Sequence, residues 1–132
     1  MKKTAIILFL FCFVSLTLMA QKQQKAKNDS IIFTELIHDY GTIDVGSPGH
    51  CEFKFTNGMK TPLVVSSVKP ACGCIIADCT KEPVLPGKKG VIKINYNTKI
   101  PGTFNKSITV NSNAKNASVV LQIKGTVNMP KE

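Results

Sequence analysis

The sequence contains no arginine and no tryptophan, only eight acidic residues, and no long apolar run beyond Ala20. Each shortage removes a class of function. All 17 basic residues are lysine, whereas arginine is the usual reader of phosphate and base edges. Within the domain only Lys88 and Lys89 are adjacent. The net charge of +9 therefore describes a solvated lysine face, and no nucleic-acid partner is expected. No G-x-S-x-G, H-E-x-x-H or paired-carboxylate pattern occurs, so neither nucleophilic nor acid–base catalysis has a carrier. The chain reads as a non-enzyme without a cofactor. No segment longer than a turn combines a 3.6-residue apolar period with a polar opposite face, which excludes substantial helices.

What is present begins with MKKTAIILFLFCFVSLTLMA. Lys2 and Lys3, an apolar stretch and a small-residue end at Ala20 have the layout of a secretory signal peptide. The dense apolar part is too short for a stable membrane span. Cys12 sits inside that part, without the small residues that precede a lipid-anchored cysteine. Cleavage after Ala20 would lower the net charge to +7 and leave residues 21–30 as a polar, disordered lead-in to a domain at 31–128. That length suits one domain with a modest core.

From Ile31 onward the pattern has period two and is punctuated by turn residues. IIFTELIHDYG predicts a first edge strand ending at Gly41, with TIDV as a short continuation. CEFKFT points Cys51, Phe53 and Phe55 to one side. PLVVSSVKP predicts a strand stopped by Pro70, and Pro86-Gly87 a tight turn. VIKINYNT turns Ile92, Ile94 and Tyr96 inward, FNKSITVNSN turns Ile108 and Val110 inward, and ASVVLQIKGTV buries Val119, Leu121 and Ile123. About seven short strands predict an all-β fold, an immunoglobulin-like antiparallel β-sandwich. A small closed barrel is the alternative.

The ordered motifs HDYGTIDVG, FKFTNGMKTPLVV, VKPACGC, EPVLPGKKGVIKINYNT, PGTFNKSITVNSNA and IKGTV resemble the bacterial family catalogued as domain of unknown function 1573. The resemblance covers Phe33 to Val127 and includes Cys72 and Cys74; Cys51 and Cys79 depart from the pattern. It implies an immunoglobulin-like fold related to major sperm protein domains, export in many members, and no established activity.

Four cysteines remain after cleavage, and in an oxidising compartment they read as a disulfide framework. Sequence leaves three complete pairings open. A hairpin through NGMKT would bring Cys51 to the end that carries Cys72 and Cys74, giving Cys51 bonded to one of that pair and Cys79 to the other. A loop of about 22 residues would contribute roughly 3 kcal/mol and the shorter one roughly 2 kcal/mol. In a second reading Cys72, Cys74 and Cys79 hold copper, or zinc with His50. In a third, Cys72-Gly73-Cys74 closes a short, readily reduced ring, although only Lys69 is near to favour a thiolate.

His38-Asp39-Tyr40 could pass for a catalytic set. The plainer reading has Tyr40 packing and Asp39 serving the turn before Gly41. Asn105 and Asn116 head N-x-S triplets, which mark exposed positions. The sequence thus predicts an exported, periplasmic or secreted module that binds protein through open edge strands, the first and the last.

Overall fold

Alternation at period two gives each strand one apolar side, and in the computed structural model, which describes residues 29–130, those sides close on a single core. The strands are β1 (Ile31–Phe33), β2 (Ile37–Asp44), β3 (His50–Asn57), β4 (Val65–Pro70), β5 (Ile75–Cys79), β6 (Lys89–Tyr96), β7 (Gly102–Ser112) and β8 (Ser118–Asn128). They form two four-stranded sheets ordered β1-β3-β6-β5 and β2-β8-β7-β4. This is the expected immunoglobulin-like sandwich, with two separate sheets in place of a closed barrel. The expected signal peptide with Cys12, and residues 21–28, lie outside the described residues.

The predicted inward faces hold. Phe53, Phe55, Ile92, Ile108, Leu121 and Ile123 are fully buried, and Cys51, Ile94, Tyr96 and Val110 nearly so. Burial of each large side chain contributes about 1.5–3 kcal/mol relative to exposure. An aromatic stack joins the two sheets, with Tyr96 on Phe104 at 4.0 Å between ring centroids and Tyr40 tilted against both. Pro86-Gly87 makes its turn: Lys88 N–H donates to Leu85 C=O at 2.9 Å, and Gly87 takes φ 76°, a conformation that favours glycine.

Four expectations need correction. IIFTELIHDYG is two strands, because β1 pairs with β3 in one sheet while β2 pairs with β8 in the other. The inward phase shifts between them, from Ile31 and Phe33 to His38 and Tyr40, so one continuous strand could not bury both sets. IIADC, for which the sequence pattern predicts no strand, is β5, which raises the strand count to eight. The β2–β8 pairing is parallel, since β2 is reached by crossing between sheets and not by a hairpin. The last strand, β8, lies between β2 and β7, so it is no edge.

A buried asparagine ties the loops at one end. Asn57 is 1% exposed, and its Nδ2 donates to Thr61 C=O at 2.9 Å and Val84 C=O at 2.8 Å. Its Oδ1 accepts from Met59 N–H at 2.7 Å. The backbone of Asn57 meets Lys88 C=O and Gly87 N–H, both at 2.9 Å. Every polar atom of the side chain is thereby engaged, as burial requires.

Candidate functional site

Strand β4 ends at Pro70, whose missing N–H is harmless on an edge strand. Ala71 N–H donates to Ser107 C=O at 2.9 Å, and the chain then crosses to the other sheet. Cys72 and Cys74 form a close pair within this crossing, their Cα atoms 5.3 Å apart, inside the span of a disulfide. Asn97 N–H donates to Cys74 C=O at 2.8 Å, and Ile75 N–H reaches back to Cys72 C=O at 3.4 Å. The cysteine corner is therefore fastened to both sheets.

The expected pairing of Cys51 with one of these cysteines and Cys79 with the other is not formed; Cys51 and Cys79 are free thiols. The hairpin that would have delivered Cys51 does not exist, because β3 and β4 lie in different sheets. Nor can Cys51 meet Cys79. Cys51 stands opposite Ile94 and Cys79 opposite Ile92, with β6 between them. Two strand spacings amount to about 9.5 Å, beyond the 4.4–6.8 Å that a disulfide spans.

The alternative metal set of Cys72, Cys74, Cys79 and His50 is not assembled either. Cys79 lies five residues along an extended strand from Cys74, roughly 16 Å away. No group of three or more His, Cys, Asp or Glu side chains placed to hold a metal occurs among the described residues.

Burial pushes the Cys51 thiol up, opposed by the Tyr40 hydroxyl, which can donate to the thiolate, while Glu35 and Glu52 add to the rise. Burial also raises Cys79, and Asp78 adds to that. Both free thiols are thus poor thiolates at neutral pH.

His38-Asp39-Tyr40 has the plainer role. Tyr40 O–H donates to Gly49 C=O at 2.7 Å, and the His38 ring stands edge-on to Tyr40 at 4.6 Å. Asp39 Oδ1 accepts from Gly41 N–H at 2.8 Å, and this turn is a bulge inside β2, which runs on to Asp44. Asn116 is exposed, but its amide bonds both N–H and C=O of Ile31 at 2.9 Å, clamping β1. Asn105 is exposed on β7.

Beside the corner lies a groove of about 430 Å³, lined by the Gly46–His50 loop, Gly73, Cys74, Ile76 and residues 95–99. Its lining includes Lys99 and His50 and no carboxylate. Outward-facing His50, Asn95 and Ile76 form one row across three strands, and Ile76 is 70% exposed.

Ile76 belongs to an open edge. Cys74 and Thr80 bond across to Asn97 and Val91, so the even-numbered positions of β5 face β6. The backbone groups of Ile75, Ala77 and Cys79 then point to the free side. Ile75 N–H is tied to Cys72 C=O and Cys79 N–H to Asp78 Oδ1 at 2.9 Å. Ala77 N–H and C=O, with the neighbouring carbonyls, remain on offer.

The other edges are defended in the usual ways. Strand β1 has three residues. Strand β2 carries the Gly41 bulge, and β4 has an irregular register between Val65 and Ser67, then Lys69 and Pro70. Sequence reasoning missed β5 because the adjacent isoleucines hide an alternation of Ile75, Ala77 and Cys79 against Ile76 and Asp78.

No curated protein matches the chain in sequence. Among solved structures it is similar to a protein of unknown function from Porphyromonas gingivalis W83, with TM-score 0.65 and 13% identity, over 80% of this chain and 51% of that one. The chain thus spans about half the length of that protein. It is also similar to PapD-like domain 7 of human CEP192, with TM-score 0.62 and 10% identity over 86% and 95% of the two chains. The YadV chaperone matches with TM-score 0.52 and 12% identity over 77% and 53%. At these identities the likeness is one of fold. A family model described as a protein of unknown function, DUF1573, matches residues 31–127, and the chain belongs to that family.

Proposed function

We propose that the chain is an exported, non-catalytic module that takes an extended segment of another protein onto the free edge of β5. The single observation carrying this reading is that edge itself: five residues, one charge, an unguarded Ala77 and a protruding Ile76. An incoming strand would gain backbone hydrogen bonds at Ile75, Ala77 and Cys79, and alternate side chains would meet Ile76 and the adjoining groove. One structure that shares the fold is named a chaperone, which is in keeping with binding another chain. Export rests on the signal-like first 20 residues.

Ala77→Pro tests the binding. Its N–H faces away from β6, so proline removes a docking donor without breaking the internal ladder. A photo-crosslinker at Ile76 should capture a discrete partner with the wild type and lose it with Ala77→Pro. Equal capture by both would defeat the reading. N-terminal sequencing of the exported protein should begin at Gln21; an intact Met1 in the cytoplasm would remove the exported part of the proposal.

A further inference from the structure

The Cys72–Cys74 disulfide has features that a mere staple does not need. It closes a loop of three residues, so it removes little entropy from the unfolded chain. It stands where the open edge of β5 begins. A Cβ placed on Gly73 would meet nothing within 4 Å, so the space beside the middle residue of the loop is open. Cys74 lines the groove, whereas Cys72 does not, and both pack against the core. The two cysteines are therefore unequal: Cys74 borders the groove beside the β5 edge, and Cys72 does not.

From this arrangement we propose that the Cys72–Cys74 disulfide exchanges with cysteine thiols of the segment bound along β5, so that the partner is a thiol-bearing polypeptide. The inference rests on the edge-binding reading above. In the first step a partner thiol gives up its proton to solvent, and the thiolate attacks Cys74 Sγ. The Cys72–Cys74 bond breaks, a partner–Cys74 bond forms, and Cys72 leaves as a thiolate that takes up a proton. In the second step another partner thiolate attacks the partner sulfur of that mixed disulfide and displaces Cys74, which is protonated in turn. Two electrons and two protons pass from the partner dithiol to the chain. The partner gains a disulfide, and Cys72 and Cys74 become thiols. No oxidant beyond the existing bridge is required for one turnover.

Two further observations favour this site. Lys99 lines the groove with no carboxylate among the lining residues, which favours thiolate over thiol there. Cys51 and Cys79 are unable to divert the exchange, since Cys51 is buried and the pKa of each is raised, and neither stands at the corner. Holding a partner strand on β5 would raise the effective concentration of its cysteine at Cys74.

The test uses the mature, oxidised protein and a library of ten-residue peptides, each with one cysteine pair separated by two residues and random elsewhere. Mass spectrometry should show selected peptides losing two hydrogens as Cys72 and Cys74 gain them. Ala77→Pro should slow that transfer at least about tenfold, and Cys72→Ser should trap activated peptide disulfides on Cys74. A mixed disulfide on Cys51 or Cys79, or transfer unaffected by Ala77→Pro, would overturn the inference. A parallel library with serine in place of both cysteines separates the two readings. Enrichment on the wild type over Ala77→Pro without any transfer from the cysteine library refutes exchange and leaves edge binding standing. Failure of the serine library to enrich refutes edge binding, and the exchange mechanism built on it falls too.

Discussion

Replacing Asn57 by alanine should remove more stability than any other polar substitution in the described domain. The side chain makes three hydrogen bonds, to Thr61 C=O, Val84 C=O and from Met59 N–H, in a site 1% exposed. Alanine leaves Met59 N–H unsatisfied at about 1–3 kcal/mol and removes about 1 kcal/mol for each bond lost at Val84 C=O, which keeps Leu63 N–H at 2.8 Å, and at Thr61 C=O, which is less enclosed. The loss should be about 3–5 kcal/mol, a large share of the 5–15 kcal/mol typical of a domain. For about 100 residues this corresponds to a midpoint at least about 12 °C lower.

Asn57→Asp separates hydrogen bonding from shape. It keeps the acceptor for Met59 N–H but turns a second oxygen toward two carbonyls. Burial and those carbonyls raise its folded pKa above the unfolded value of about 3.9. A raised acid pKa means that the folded state holds the proton more tightly, so stability is highest below pH 4. It falls as pH rises from there to the folded pKa, then levels off. Chemical denaturation of wild type, Asn57→Ala and Asn57→Asp at pH 4 and pH 7 measures all of this. A loss under about 1 kcal/mol for alanine, or an aspartate variant whose deficit does not grow between the two pH values, would refute the account.

Removing the short bridge with Cys72→Ser and Cys74→Ser together should cost only about 1–2 kcal/mol, because a three-residue loop constrains the unfolded chain little; thermal denaturation checks it. Gly90→Ala should lower stability by about 1–3 kcal/mol or more, since its Cβ would overlap the ring of fully buried Phe55, and denaturant titration measures the shift. Tyr40→Phe should cost about 1–2 kcal/mol by leaving Gly49 C=O and the Cys51 thiol without the hydroxyl. The raised pKa of Cys51 and Cys79 means that their folded states resist ionisation. Stability should therefore be unaffected below about pH 8.5 and fall as pH rises through the folded values, a fall that Cys51→Ala should lessen.

Strands β3, β6, β7 and β8 were legible because each alternates cleanly, with Phe53, Ile92, Ile108 and Leu121 all on the buried side. Pairing was less legible. Nothing local distinguishes a hairpin within one sheet from a turn that crosses the sandwich, and NGMKTP does the latter with Asn57 as its anchor. The cysteine pairing failed for the same reason, since it inherited the assumed hairpin. The sheet switch at Thr34–Leu36 left a trace in the phase shift between Ile31 and His38, but a phase shift reads equally well as a bulge. The groove was not legible at all, because its lining comes from the β2–β3 loop, the cysteine corner and the β6–β7 connection, which only the folded topology brings together.

The same topology explains why the two pairs of cysteines behave differently. Cys51 and Cys79 occupy inward positions of strands, where a thiol is a small apolar side chain packed against Ile94 and Ile92 register partners. Valine or alanine could fill those sites at modest cost. Cys72 and Cys74 occupy a crossing whose backbone is already held by Ala71 N–H on Ser107 C=O and by Ile75 and Asn97 N–H on the two cysteine carbonyls, so the fold depends little on their bond. The cysteines that sandwich stability needs least are those that stand at the open end of β5. That placement is the one the proposed exchange requires.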